Sequence, residues 1–379
     1  MNVFVVNGPN LNLLGTREPE IYGTDTLADL ERRWRRHGAR IGIGVRSFQS
    51  NHEGEIIDKL HTDGMRSDGV VLNAGAFSHT SYAIHDALVA IGTPTVEVHI
   101  SDIHRREPWR ATSVTAPAAV LTIFGRGPVG YLNALDHLWA RFTSPADIVS
   151  YGDRADQEMD VRCPTEPRGM VLLIHGGFWH EVWGRDVMDP LAVRLAADGW
   201  MTVNVEYRRG PGSFEDSASD ITDALDAAIA TVSQRGHPDL PIVLVGHSAG
   251  GYLALREAQR RSRRVAAVGL APVIDLESIA AARADDDPVA TYLGADAATD
   301  PDLWRSAAIA HTAPSVGLVL HGSDDDAVPV AHSEAYATHH NGIDFRRLDG
   351  VDHMSLIDPS QDCHDEVTSA IERAAVMLS

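Results

Sequence analysis

Gly246-His247-Ser248-Ala249-Gly250 follows the apolar run Pro241–Val245 and precedes a helical stretch. A strand, a sharp turn and a helix form the setting in which G-x-S-x-G lifts a serine hydroxyl into the open. A serine at its own pKa is a poor nucleophile. A histidine must take its proton, and a carboxylate must hold that histidine. HGSDDDAVP (His321–Pro329) follows an apolar run and offers three consecutive aspartates, and GVDHMSLID (Gly350–Asp358) offers His353. The chemistry these residues could do is acyl transfer through a serine ester.

A second set lies between Met1 and Arg141: NGPNLNLLGTREPEIYG (Asn7–Gly23), FQSNHEGEIID (Phe48–Asp58), NAGAFSHTS (Asn73–Ser81) and EVHISDIHRREPWR (Glu97–Arg110). Three of the four follow a predicted strand directly. In an open parallel sheet the strand C-termini converge on one crevice, so Asn, His, Arg and Tyr from separate loops meet there. NHEGE lacks the HExxH spacing of a zinc site, and His52, His61, His85 and His104 read as surface or packing residues. Gly125–Gly130 fits G-x-G-x-x-G after a strand. It falls at the last strand of its unit, carries Pro128 and lacks a following acidic strand, so it reads as a tight turn packing the final helix. Cys163 and Cys363 are the only cysteines and support neither a disulfide framework nor a Cys-based zinc site. No metal and no cofactor are expected.

The elements that must position these residues follow from periodicity. Val3–Val6, Ile41–Phe48, Gly69–Leu72, Thr95–Ile100 and Ala118–Phe124 read as strands. Thr26–His37, Gly54–Asp63, Ser81–Ile91 and Val129–Arg141 read as helices. This alternation calls for a parallel sheet covered on both faces, a flavodoxin-like α/β domain over 1–143. A polar junction at Thr143–Asp147 precedes a second α/β unit, placed at 148–379. Its predicted strands are Ser150–Val161, Gly169–Ile174, Thr202–Glu206, Ile242–Val245, Val265–Ala271, Val316–His321 and Phe345–Leu348, with helices such as Asp220–Arg235 and Gly251–Arg261 between them.

Composition narrows the function classes. Hydrophobic residues make up 44% and charged residues 22% of the 379, which excludes intrinsic disorder. The net charge of -21 disfavours a nucleic-acid partner. It is unevenly spread: Met1–Thr143 carries 14 Lys+Arg against 15 Asp+Glu, and the remainder 18 against 38. No targeting segment and no run long enough to span a bilayer are visible, so a cytoplasmic protein without a membrane partner is expected.

The four segments of the first unit, in order over about 140 residues, resemble the type II 3-dehydroquinate dehydratases. That resemblance implies a cofactor-free dehydration of 3-dehydroquinate to 3-dehydroshikimate through an enolate. It implies Tyr22 as base, supported by Arg17 and Arg106, Asn10 as holder of an enolate-stabilising water, and His99 as general acid oriented by Glu97. An unperturbed phenol titrates near pH 10, so a phenol acting as base needs cationic neighbours. Asn73, His79, Ile100, Ser101 and Arg110 are implied to bind substrate. Asp86 would be supplied by a neighbouring subunit, in trimers assembled up to dodecamers. Two departures stand out. Asp102 replaces the family's usual Asn, bringing a negative charge near an anionic substrate, and Ala111-Thr112-Ser113 replaces a more histidine-rich stretch.

The second set resembles α/β-hydrolases, in the order Ser…Asp…His. Within HGSDDDAVP, Asp325 holds that family's acid position, between Asp324 and Asp326. His175-Gly176-Gly177-Phe178-Trp179 resembles an HGG-type loop, implying that the N–H groups of Gly177 or Phe178 and of Ala249 hold the oxyanion. With YGDRADQEMDV (Tyr151–Val161) and GHSAGG, the unit is similar to kynurenine-formamidase-like and carboxylesterase-like serine hydrolases acting on small esters or amides. Pro272–Ala313 occupies the cap position, and Phe178, Trp179 and Trp183 read either as an aromatic wall or as simple packing. The chain is thus expected to be a fusion of a dehydratase with a serine hydrolase. Two rivals stand beside it: a formamidase unrelated to the first reaction, or one unit serving only binding or assembly.

Overall fold

A computed structural model of the chain describes residues 1–261, 265–283, 286–309, 314–340 and 342–378. Of the cap stretch named above, 284–285 and 310–313 lie outside the described residues. Contacts divide the chain into two compact units, Met1–Thr143 and Ser144–Ser379.

In the first unit β1 (Asn2–Asn7), β2 (Gly44–Gln49), β3 (Gly69–Asn73), β4 (Thr95–His99) and β5 (Leu121–Phe124) form a parallel sheet in the order β2-β1-β3-β4-β5. This is the flavodoxin-like order. Side chains alternate between two cores. Val3 and Val5 join α2 (Leu27–Arg40) and α5 (Val129–Thr143) on one face. Phe4 and Val6 join α3 (Glu53–Lys59) and α4 (Tyr82–Ile91) on the other. A short helix α1 (Pro19–Tyr22) lies in the loop after β1.

Local sequence explains the elements. Thr26 Oγ1 accepts from the Asp29 N–H, and the Asp29 carboxylate accepts from the Thr26 N–H, a reciprocal cap that starts α2. Leu30, Trp34 and Gly38 form its buried stripe. A Cβ on Gly38 would stand 2.6 Å from Val45 Cγ2, so only glycine lets α2 approach β2 this closely. The strand expected from Ile41 begins only at Gly44, because Gly42 turns the chain at φ +78°. Gly125 and Gly127, at φ +73° and +60°, make the tight turn before α5.

The second unit has an eight-stranded mixed sheet, β13-β12-β11-β10-β8-β9-β7-β6. The strands are β6 (Asp147–Ser150), β7 (Glu158–Arg162), β8 (Met170–Ile174), β9 (Met201–Val205), β10 (Ile242–His247), β11 (Val265–Leu270), β12 (Gly317–Gly322) and β13 (Ile343–Leu348). β7 runs antiparallel to both β6 and β9, and the other pairings are parallel. The single strand expected over Ser150–Val161 is therefore a hairpin: the Tyr151 N–H bonds the Gln157 carbonyl across the polar GDRAD turn. Helices α6 (Asp189–Ala197), α7 (Phe214–Gln234), α8 (Ala249–Arg260), α9 (Leu276–Ala282), α10 (Pro288–Leu293), α11 (Pro301–Ala307), α12 (Val330–His339) and α13 (His364–Val376) follow in turn. β10 sends Leu244 to one core and Val243 and Val245 to the other, which is why it reads as an unbroken apolar run. Among the described residues no helix is long and apolar enough to cross a membrane. None of them forms a His, Cys, Asp or Glu group able to hold a metal ion.

Candidate active sites

In the first unit a cavity of about 180 Å³ opens beyond the strand C-termini, lined among others by Asn10, Arg17, Tyr22, Asn73, His79, His99, Ile100, Ser101 and Arg110. Its base is a polar network. Tyr131, wholly buried on α5, donates to Asn7 Oδ1 at 2.7 Å and accepts from Asn73 Nδ2 at 2.9 Å, tying together the ends of β1 and β3. Asn10 sits in the left-handed region at φ +67°, and its N–H bonds Asn51 Oδ1 at 2.9 Å. Gly8 passes so close to β3 that a Cβ there would stand 2.3 Å from the Ala74 oxygen.

Two arginines flank Tyr22. Arg106 Nη1 donates to the phenol oxygen at 2.5 Å, with its guanidinium carbon 5.5 Å from the ring centre, and Arg17 lies over the same ring at 5.3 Å. Arg106 thus touches Tyr22 rather than lining the cavity. Burial opposes the charge of Arg106. The bond to Tyr22 and the charges of Glu107 and Glu18 outweigh it and hold the guanidinium above its ordinary pKa.

His99 Nε2 donates to Glu97 Oε1 at 2.6 Å. Both side chains lie on one face of β4, and Glu97 is fully buried. A buried carboxylate needs donors. Besides His99, Ser113 Oγ (2.6 Å) and Thr115 Oγ1 (2.5 Å) supply them. Burial pushes the Glu97 pKa up, but these donors prevail and hold it below the ordinary value. His79 gives its Nδ1–H to the Thr112 carbonyl, and burial lowers its pKa. Asp102 does not line the cavity; it caps the following turn by accepting from the His104 N–H at 3.0 Å. Asp86, exposed on α4, is not brought to this cavity by its own chain.

In the second unit Ser248 stands at φ +55°, ψ -120°, between β10 and α8. Crowding dictates the flanking glycines: a Cβ on Gly246 would lie 2.1 Å from the Gly250 oxygen, and one on Gly250 2.1 Å from the Ile174 oxygen. Ser248 and His353 line one largely apolar cavity of about 170 Å³ with Gly177, Phe178, Trp183 and Ala327. His353 Nδ1 donates to Asp325 Oδ2 at 2.6 Å. Asp325 Oδ1 accepts the N–H groups of Ala327 and Val328, which orients the carboxylate from the backbone. Burial works against its charge. The bonds to His321 and His353 override that and hold Asp325 far below the usual carboxylate range. Of the three aspartates, Asp325 is the one that reaches His353; Asp324 instead accepts from its neighbour Ser323.

The HGG loop is strained. Gly177, Phe178 and Trp179 have φ of +113°, +49° and +58°. Such backbone persists only where its surroundings over-determine it. Trp179 is buried, stacked on Tyr292 at 4.1 Å, so of the three aromatics only Phe178 and Trp183 face the cavity. Among the described residues no carbonyl takes up the N–H of Gly177, Phe178 or Ala249.

Family comparisons join these sites to known proteins. The model described as dehydroquinase class II matches residues 1–139. A 3-dehydroquinate dehydratase of Dinoroseobacter shibae is 49% identical over 144 residues, covering 38% of this chain and 96% of that protein. Residues 1–143 belong to the type II dehydroquinase family. The dehydroquinase unit is also 56% identical to 3-dehydroquinate dehydratase 1 of Agrobacterium fabrum over 136 residues, 36% of this chain and 94% of that one. The BD-FAE model matches residues 159–339. Esterase B from Lactobacillus rhamnosis is 19% identical, covering 61% of this chain and 85% of its own, with a TM-score of 0.51. The second unit has the α/β-hydrolase fold.

Several supporting residues escape sequence reasoning. Ser113, read there only as a departure, is a donor to Glu97. Behind the HGG loop, His175 Nε2 bonds Glu206, which also takes the Arg185 N–H and a guanidinium hydrogen of Arg209. Tyr207 donates to the His175 carbonyl at 2.8 Å. Arg209 is three residues from Glu206, but the His175 and Arg185 contacts reach 21 to 32 residues along the chain, and nothing in EYRRG (Glu206–Gly210) signals those.

Proposed function

We propose that the chain is a cytoplasmic bifunctional enzyme: a 3-dehydroquinate dehydratase and a serine hydrolase of small esters or amides. The observation that carries the first half is the opposition, across one cavity, of an arginine-flanked Tyr22 and a carboxylate-held His99. Tyr22, as phenolate, removes a proton beside the substrate ketone. Asn10 holds the water that hydrogen-bonds the enolate oxygen. His99 then protonates the departing hydroxyl, which leaves as water. Asn73, His79, Ser101, the Ile100 backbone and Arg110 hold the carboxylate and hydroxyls, with Arg17 and Arg106 supporting the base. Asp86, exposed on α4, reaches a neighbour's site in a trimer, with dodecamers built from trimers.

The second half rests on Ser248 and His353 sharing an apolar cavity while Asp325 holds His353. Ser248 attacks the carbonyl as His353 takes its proton. The oxyanion is held by the N–H of Gly177 or Phe178 and that of Ala249, and water then releases the acyl group. Purified full-length protein given 3-dehydroquinate, aryl esters and N-formylkynurenine tests both halves. Enone absorbance from the first substrate and hydrolysis of at least one of the others are expected. No turnover of a substrate class removes the corresponding half.

A further inference from the structure

Among the described residues no arginine or lysine lines the hydrolase cavity, yet one guanidinium stands directly behind its wall. Arg283, at the end of α9, lies over the Phe178 ring with its guanidinium carbon 4.5 Å from the ring centre. Its Nη2 donates to the Ala327 carbonyl at 3.2 Å. Phe178 and Ala327 both line the cavity that holds Ser248 and His353. Arg283 therefore bridges the HGG loop and the loop carrying Asp325, at the exposed margin of the site.

Its charge environment is unusual for this unit. Arg185, Arg208, Arg209 and Arg261 are each tied to carboxylates, as expected where acidic residues outnumber basic ones. Among the described residues no carboxylate pairs with Arg283. A guanidinium offers five donors in a planar fork suited to a carboxylate, and the Ala327 carbonyl uses only one side of it. The stack on Phe178 holds the fork in place at little further entropic cost. A fixed cation at the exposed margin of an apolar cavity, without an ion-pair partner among the described residues, gives an anionic substrate a favourable approach in an otherwise acidic unit.

We propose that the hydrolase takes esters bearing a free carboxylate, and that Arg283 is the residue that selects them. The apolar cavity receives the group next to the scissile carbonyl, and Arg283 pairs with the carboxylate at the margin. This inference rests on the serine-hydrolase reading above and names its substrate class.

Matched ester pairs test it. The first is 3-acetoxybenzoate against its methyl ester, with the charge on the alcohol side. The second is the mono-4-nitrophenyl ester of glutarate against 4-nitrophenyl methyl glutarate, with the charge on the acyl side. In the wild-type full chain kcat/KM should favour the anion of at least one pair by about fivefold, the upper end of what an exposed charge pair supplies. The preference should shrink as salt is added. Arg283→Gln should collapse the anion-to-neutral ratio towards one, R283E should invert it, and R283K should keep part of it. A merely structural brace on Phe178 would lower both members of a pair together and leave the ratio unchanged. An unchanged ratio in R283Q, or no anion preference in wild type, overturns the proposal while the hydrolase reading stands. Absence of Ser248-dependent turnover of any ester overturns both.

Discussion

In each candidate site one histidine bonds one carboxylate at 2.6 Å, and the two pairs are built in opposite ways. Glu97 and His99 sit two residues apart on β4, and the carboxylate is satisfied by side chains: His99, Ser113 and Thr115. Asp325 and His353 come from loops 28 residues apart, and the carboxylate is oriented by the backbone N–H groups of Ala327 and Val328. The first pair is local in sequence and needs a distant hydroxyl shell. The second is distant in sequence and carries its own local shell. A buried carboxylate needs its full set of donors, whichever part of the chain supplies them.

The largest effects should separate the two sites. Ser248→Ala is expected to cut ester hydrolysis by about 10⁴-fold or more while leaving dehydration intact. Tyr22→Phe should lower dehydration by about 10³-fold and spare the ester reaction. Steady-state assays of both reactions on each variant check this, and any cross-loss would break the independence of the sites.

The carboxylates should differ next. Asp325→Asn reverses a donor-acceptor contact that fixes the tautomer of His353, so a loss of about 10⁴-fold in kcat is expected. Glu97→Gln keeps one oxygen for His99 and lets the hydroxyls re-orient, so about 10²-fold is expected. Equal losses would contradict the side-chain versus backbone distinction. Ser113→Ala removes one of several donors to Glu97, and about three- to tenfold in dehydration kcat is expected, with KM little changed.

The smallest contrast is in acid stability. Burial, with the neighbouring charge of His353, lowers the His247 pKa to about 3. An unfolded histidine titrates near 6.5. Between those values the unfolded chain binds a proton that the native unit does not, so stability falls as pH drops from about 6.5 to about 3. Burial lowers His332 and His364 in the same direction. In the dehydroquinase unit only His79, among the described residues, is lowered in this way. The depressed carboxylates Glu97 and Asp325 add their loss only below about pH 4. Calorimetry from pH 7 to pH 5, with transitions assigned by residual activity, should show the hydrolase transition moving down further.

Much of this was legible in the sequence because strand periodicity and glycine-marked turns are local. Whereas Asp325 was singled out from Asp324 and Asp326 by the resemblance to α/β-hydrolases, the five-stranded sheet and the GHSAG elbow follow from short patterns. The Ser150–Val161 hairpin was not, since its polar turn lies between two stretches of strand-forming residues. The bonds of Ser113 and Thr115 to Glu97 and of His175 to Glu206 were not either: a polar residue's partner across the fold leaves no mark near it in the sequence. For the aromatics of the HGG loop the sequence left wall and packing both open; Trp179 is packing, buried and stacked on Tyr292, and only the fold supplies that partner.

The most direct test of two complete and separate sites is dehydration by full-length protein whose Ser248 has been capped with a fluorophosphonate. One label per chain, loss of ester hydrolysis and unchanged formation of the enone from 3-dehydroquinate are the expected result. No labelling, or loss of dehydration on labelling, would contradict it.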